Sequence, residues 1–418
     1  MFTFIKNFWS LLIYGYTLGK INLIAMLINI AILIYSILHF EDIWNENIWI
    51  FLFLVFANII WQSKSMLEDI ILLLQYPEYN FDNDYCCTEH IKLADDTKII
   101  YDKEVKEDSC HVHVIYSSKV NQYLLKGTEI IISEIGKRNN SYKDYIDQNK
   151  EILLIFLKTK WHQDYRATFN NEKKLCMKSE LTETSDGKCI IKVCRGNYYN
   201  SFVTNEIYCS RLSHNDKSNF LYPPLNPFLK EIHPLSIDSS FSDHIGVSTL
   251  VLTEDGFVII LKHNKRAAVH PNTFQATCSG SADYGDWLKL KKTNNISLQD
   301  FVKEVVAREL FEETKIQRSN IKDVEIIGFF RDLIRGGKPD FCTITHLAIS
   351  ADKAHDIFDP DKKEANKTFV CEQVRGCNGF DYASFDKFVN DNVSYISPSL
   401  YMSYLFMKQW SLAEIVGV

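Results

Sequence analysis

The chain has 418 residues, 46% of them hydrophobic and 24% charged, enough apolar material for two or three domains with cores of their own. A formal charge of −7, from 46 basic and 53 acidic side chains, argues against wholesale binding to a nucleic acid duplex, which normally needs a basic excess. Eleven scattered cysteines with no CxxC pair do not make a secreted disulfide scaffold and imply reduced thiols in a cytosolic region.

The N-terminal end is the most apolar. Ile21 to Phe40 is a twenty-residue run without Asp, Glu, Lys or Arg, and Asn47 to Ser63 is a second of seventeen, with Trp49 and Trp61 near its ends. A helix of about 20 residues crosses the hydrocarbon of a bilayer, and tryptophans prefer its headgroup level. The expectation is a transmembrane helical hairpin within residues 1–76, its helices at about 21–40 and 47–63. Lys6, Lys20 and Lys64 flank the spans, and the connector carries Glu41, Asp42 and Glu46. By the positive-inside rule, this is a multi-pass protein of the inner membrane with both termini cytoplasmic. A mid-span amide such as Asn29 would need a partner across a helix interface.

Residues 77–235 read as a mixed α/β cytosolic region. Ser117 or Ser118 can cap a helix running toward Gly136; Ile152 to Leu157, Cys189 to Cys194 and Phe202 to Cys209 read as strands. Cys86, Cys87 and His90, and the pair His111 and His113, lack the paired spacing of a structural zinc site. Pro223, Pro224, Pro227 and Pro234 then mark a linker, and a new unit spans 236–418.

That unit opens with a strand at Val247–Leu252, a Glu254-Asp255-Gly256 turn and a strand at Phe257–Lys262. Ser297 caps a helix in which Val302, Val305, Val306 and Leu310 form the buried stripe, with Asp300 in the capping-box position. Glu309, Glu312 and Glu313 stand at i, i+3 and i+4, so their carboxylates gather on one face. A hard divalent cation, Mg²⁺ or Mn²⁺, would neutralise them; on spacing alone, a solvated acidic face has the same pattern. Two further strands, Val324–Arg331 and Phe341–Leu347, flank an Arg335–Pro339 turn.

Arg308-Glu309-Leu310-Phe311-Glu312-Glu313-Thr314-Lys315-Ile316 resembles the core of the Nudix box, R-E-U-x-E-E-x-G-U, and Gly280 to Asp286 resembles its G-x5-E opening. The likeness covers about Asp243 to the C-terminus. Asp286 stands where the box has Glu, Lys315 where it has its last glycine, and twenty-one residues separate Asp286 from Arg308 where the box has seven. The resemblance implies metal ligands at Glu309, Glu312 and Glu313, and catalytic roles for Glu312, Glu313 and the orienting Arg308. Lys289, Arg331, Arg335 and Lys338 are then candidates to bind the ligand's phosphates.

The whole arrangement, an α+β protein with an N-terminal transmembrane hairpin, a mixed α/β middle and a C-terminal Nudix-like α/β/α sandwich, resembles one group in particular. These are the SMODS-associated NUDIX effectors encoded beside CD-NTases in bacterial antiphage (CBASS) systems. That resemblance implies a domain sensing a cyclic nucleotide second messenger, homo-oligomerisation on activation, and disruption of the lipid bilayer by the hairpins. The alternative is a membrane-anchored, Mg-dependent Nudix hydrolase of a nucleoside diphosphate derivative.

Overall fold

A computed structural model describes residues 113–127, 129–135, 140–163, 171–181, 189–209, 211–214, 233–263, 272–291, 296–358 and 383–416, with short strand segments at 79–82, 97–100, 220–221, 365–373, 375–376 and 379–380 and isolated positions nearer the N-terminus. The chain divides into two compact units; the larger comprises 81–145, 171–213 and 219–418.

In that unit, strands β1 (Thr97–Ile100) and β2 (Val114–Ser117) precede helix α1 (Ser118–Leu125). Ser117 caps α1 by accepting from Val120 N at 3.1 Å, and the helix stops well before Gly136. Gly127 takes a left-handed turn (φ +65°), and the β-branched run that follows forms β3 (Ile130–Glu134). Strands β4 (Leu175–Met177) and β5 (Cys189–Arg195) follow. Phe202 to Cys209 is not a strand. Tyr198–Thr204 is helix α2, begun by an Asn197 cap. Ile152 to Leu157 is helical as well, inside a longer helix Asn140–Gln163; a short apolar run reads the same in either conformation.

The next stretch carries β6 (Gly246–Leu252), β7 (Phe257–His263), β8 (Phe274–Gln275), β9 (Cys278–Ser281) and helix α3 (Tyr284–Leu290). Then come β10 (Ile296–Ser297), α4 (Leu298–Thr314), β11 (Ile321–Asp332), β12 (Lys338–Leu347), β13 (Ala365–Gln373) and the C-terminal helix α5 (Pro398–Val416). The main sheet runs β8-β7-β6-β12-β11-β2-β1, with β9 also paired to β6 and β13 to β7. β6 and β12 are parallel, Asp340 opposite Gly246, whereas β9 meets β6 antiparallel with Ser281 opposite Gly246. Ser281, Gly246 and Asp340 therefore form one row across three strands.

Alternation along the strands separates two cores. Val247 and Phe341 face Phe301, Val302, Val305 and Val306 of α4. Leu250, Leu252 and Ile344 face Leu400, Phe406 and Met407 of α5. Between Asp286 and Arg308, Ile296 pairs with Ile132 and joins a second sheet, β10-β3-β5-β4. Ile132, Leu175 and Ile191 of that sheet share the core that α4 covers.

The transmembrane hairpin expected at the N-terminus is corrected. Among the described residues no helix is long and apolar enough to cross a membrane. Asn140–Gln163 has the length but carries Lys143, Asp144 and Asp147; α5 has the length but spends its apolar side chains on the core. The spans at 21–40 and 47–63 lie outside the described residues except for isolated helical positions such as Ile34 and Phe53, as do Cys86, Cys87, His90 and His111. With the hairpin go the multi-pass inner-membrane placement and the cytoplasmic assignment of both termini.

Candidate active site

The carboxylate helix begins as its sequence dictates. Ser297 Oγ accepts from Asp300 N at 3.0 Å, and the apolar stripe turns Arg308, Glu309, Glu312 and Glu313 toward β9 and α3. Arg308 organises them. Its Nε donates to both oxygens of Asp286 (3.1 and 2.9 Å), Nη1 to Glu312 Oε2 at 3.0 Å, and Nη2 to Glu309 Oε1 at 2.9 Å. Burial works against its charge, but Glu309, Asp286 and Asp283 hold the guanidinium above its ordinary pKa. Asp286, 1% exposed, thus anchors the arginine across the twenty-one intervening residues, whose described parts are the rest of α3, β10 and the first turns of α4.

Glu309 lies against Gly280, where a Cβ would fall 2.0 Å from Glu309 Oε1. Only a side-chain-free residue admits the carboxylate there. Burial pushes Glu309 up to about 7, with Arg308 and Lys174 opposing the shift and Glu312 adding to it. Glu313 Oε1 accepts from Ser279 N at 3.4 Å. Burial and the charges of Glu313 and Glu309 together raise the Cys278 thiol well above its usual value, so both carboxylates flank β9. Among the described residues no three His, Cys, Asp or Glu side chains close on a point that would hold a metal ion. Glu309 and Glu312 are instead bridged by Arg308, and Glu312, with 54% of its side chain exposed, is the freer of the two.

The helix ends on Lys315, which adopts the left-handed conformation (φ +67°, ψ +8°) that the glycine of the box would take freely. A side chain there is strained by about 1 kcal/mol. Lys315→Gly is expected to stabilise the protein by up to about that amount, seen as a higher urea midpoint at unchanged slope.

The four candidate phosphate ligands divide. Lys289 bonds Glu304 at 2.8 Å and lies 3.5 Å from Asp286, with more than half its side chain in solvent. Arg331 is buried away from the carboxylates, its Nε on Gly337 O and its Nη1 on the His233 carbonyl, both at 2.8 Å. Arg335 is 3.5 Å from Glu206. Lys338 lies 3.3 Å from Asp340, at the far end of the Ser281–Gly246–Asp340 row, and burial lowers its pKa. Two partners had no signal in the sequence, being distant from the box along the chain: Lys174, on Asp283 Oδ1 at 2.5 Å, and Asp243, on His233 Nε2 at 2.7 Å.

No family model matches the chain, and no curated protein does. Among solved structures the chain is similar to the protein DR0079 from Deinococcus radiodurans, at 11% identity and TM-score 0.26 over 46% of this chain and 93% of that one. It is also similar to a MutT protein from Methanosarcina mazei Go1, at 15% identity and TM-score 0.25 over 41% and 94%. With TM-scores this low, the residues of the box and their geometry have to bear the functional reading.

Proposed function

We propose that the α4–β9–α3 constellation is a Nudix-type site that binds a divalent cation and hydrolyses a nucleoside diphosphate linked to another group. One observation carries this reading. A single guanidinium, anchored by buried Asp286, holds Glu309 and Glu312 while Gly280 makes room for Glu309. The donors are all carboxylate oxygens, the chemistry a hard cation such as Mg²⁺ or Mn²⁺ prefers. Glu309, Glu312 and Glu313 would hold it, with Arg308 keeping its hydrogen bonds to Glu309 and Glu312. When bound, such an ion would supply charge stabilisation on the phosphate oxygens for the attack of water on phosphorus and the breaking of a P–O bond. A carboxylate of α4 takes the proton of that water, and Arg308 keeps the carboxylates oriented. Lys289, Arg335 and Lys338 are proposed to meet the rest of the ligand.

A second reading, binding without turnover, is favoured by the bridging of Glu309 and Glu312 through Arg308 in place of an open ligand set. A cyclic nucleotide is its natural ligand, since a phosphate cradle can bind without cleaving. Incubating the full chain with linear nucleoside diphosphate derivatives and cyclic nucleotides plus Mg²⁺ decides between them. Turnover of a linear substrate is expected, falling by at least about 100-fold in Glu312→Gln/Glu313→Gln with the loss of two ligand charges. Binding with no product supports the second reading; neither binding nor product overturns both.

A further inference from the structure

Lys174 lies in the chain before β4, outside the region that resembles the box, yet its ammonium reaches into the site. Its Nζ donates to Asp283 Oδ1 at 2.5 Å and to Glu172 Oε2 at 3.2 Å, and lies 3.5 Å from the Ser281 carbonyl. Only 9% of its side chain is exposed. Arg308 approaches the same two groups from the other side, Nη2 at 3.4 Å from Ser281 O and Nη1 at 3.6 Å from Asp283 Oδ2. Backbone hydrogen bonds lock the segment in place. Tyr284 N donates to Lys173 O at 2.9 Å, Leu175 N to Ala282 O at 3.0 Å, and Ile245 N to Leu175 O at 3.0 Å.

We propose that Lys174 is a positioning residue of the carboxylate site, sharing Asp283 and the Ser281 carbonyl with Arg308 and so fixing the guanidinium that orients Glu309 and Glu312; this rests on the metal-binding reading above. Asp283 has one carboxylate for two cations. Lys174 holds Asp283 as one of the fixed carboxylates between which the guanidinium is set; without either residue Arg308 loses that fixed point, and its hold on Glu312, four residues along α4 and the most exposed of its partners, loosens. Groups that orient metal ligands from behind contribute through geometry alone, and their loss weakens metal binding without removing a ligand.

The test uses the full chain with Mn²⁺ as the probe, its affinity read from the paramagnetic resonance signal of the free ion, and the thermal midpoint measured in parallel. Lys174→Met is expected to weaken Mn²⁺ binding about tenfold, with Lys174→Arg recovering most of it because the charge returns. Asp283→Asn is expected to match Lys174→Met, and the double variant to be no weaker than either, since both act through one contact. A merely structural lysine would lower the midpoint and leave the affinity of the folded protein unchanged. Should Lys174→Met not fold, Asp283→Asn decides. Wild-type affinity in Lys174→Met or Asp283→Asn, alongside a loss in Glu312→Gln/Glu313→Gln, overturns the assignment alone. Equal Mn²⁺ binding by wild type and the double Gln variant overturns the metal reading and this assignment with it.

Discussion

Gly280→Ala is expected to abolish divalent-cation binding while leaving the fold in place. The added methyl carbon would sit 2.0 Å from Glu309 Oε1, 2.1 Å from its Cδ and 2.5 Å from Oε2, so the carboxylate has to leave. The oxygen that the methyl would strike is the one that accepts from Arg308 Nη2 at 2.9 Å, so moving it breaks that hydrogen bond. Losing an outer-shell partner already costs about 10- to 100-fold in metal affinity, and displacing a ligand should cost at least the upper figure. Stability should fall far less, since Glu309 is the end of a flexible side chain and its carboxylate gains solvent by moving. Calorimetric Mn²⁺ titration beside a urea unfolding curve checks both parts. Wild-type affinity in Gly280→Ala would show that Glu309 is not a ligand.

Asp243→Ala is expected to lower stability by about 3–5 kcal/mol, the cost of breaking a buried ion pair and stranding its partner. Asp243 is fully buried, and its Oδ1 accepts from His233 Nε2 at 2.7 Å and from Asn205 Nδ2 at 2.9 Å, with Arg331 Nη2 at 3.9 Å. Burial raises its pKa, but His233 and then Arg331 more than offset this, so the carboxylate lies below its usual range. The imidazole is held in turn, stacked on Phe241 with ring centroids 3.6 Å apart. Removing the carboxylate leaves the Arg331 guanidinium on the neutral carbonyls of Gly337 and His233, with the half-exposed Glu180, 3.8 Å away, as its remaining acid among the described residues. The companion variant Asp243→Ala/Arg331→Met should lose much less than the sum of the single losses, because no buried charge is left unpaired. A chemical denaturation series on the four proteins measures the coupling. Additive losses would mean that the two side chains do not support one another.

Arg331 also shows where reading the chain runs out. Beside Arg335 and Lys338 it has the composition of a phosphate pocket, yet it is spent on a backbone carbonyl six residues away and on His233, nearly a hundred residues away. Charge in a sequence does not say whether a group ends in solvent, on a ligand or against a buried acid. The apolar N-terminal runs have the composition of membrane spans and lie almost wholly outside the described residues, among which no helix is long and apolar enough to cross a membrane. Ile152 to Leu157 failed as a strand because a run of six apolar residues has no period to read.

What the sequence determined by itself was local and periodic. The Ser297 cap, the stripe from Val302 to Leu310 and the i, i+3, i+4 carboxylates needed only the geometry of one helix, and the structure builds that helix from Leu298 to Thr314. The strands on either side of Glu254-Asp255-Gly256 and of the Arg335–Pro339 turn needed only alternation and a turn signal. The tertiary structure alone decided which charges meet. It brought Lys174 to Asp283 and Asp243 to Arg331, and it kept Asp286 on Arg308 across twenty-one residues that include an edge strand and a helical lead-in. The reason is physical: helix and strand periods are set by neighbours along the chain, whereas the partner of a buried charge is whichever opposite charge the packed core leaves within about 4 Å of it.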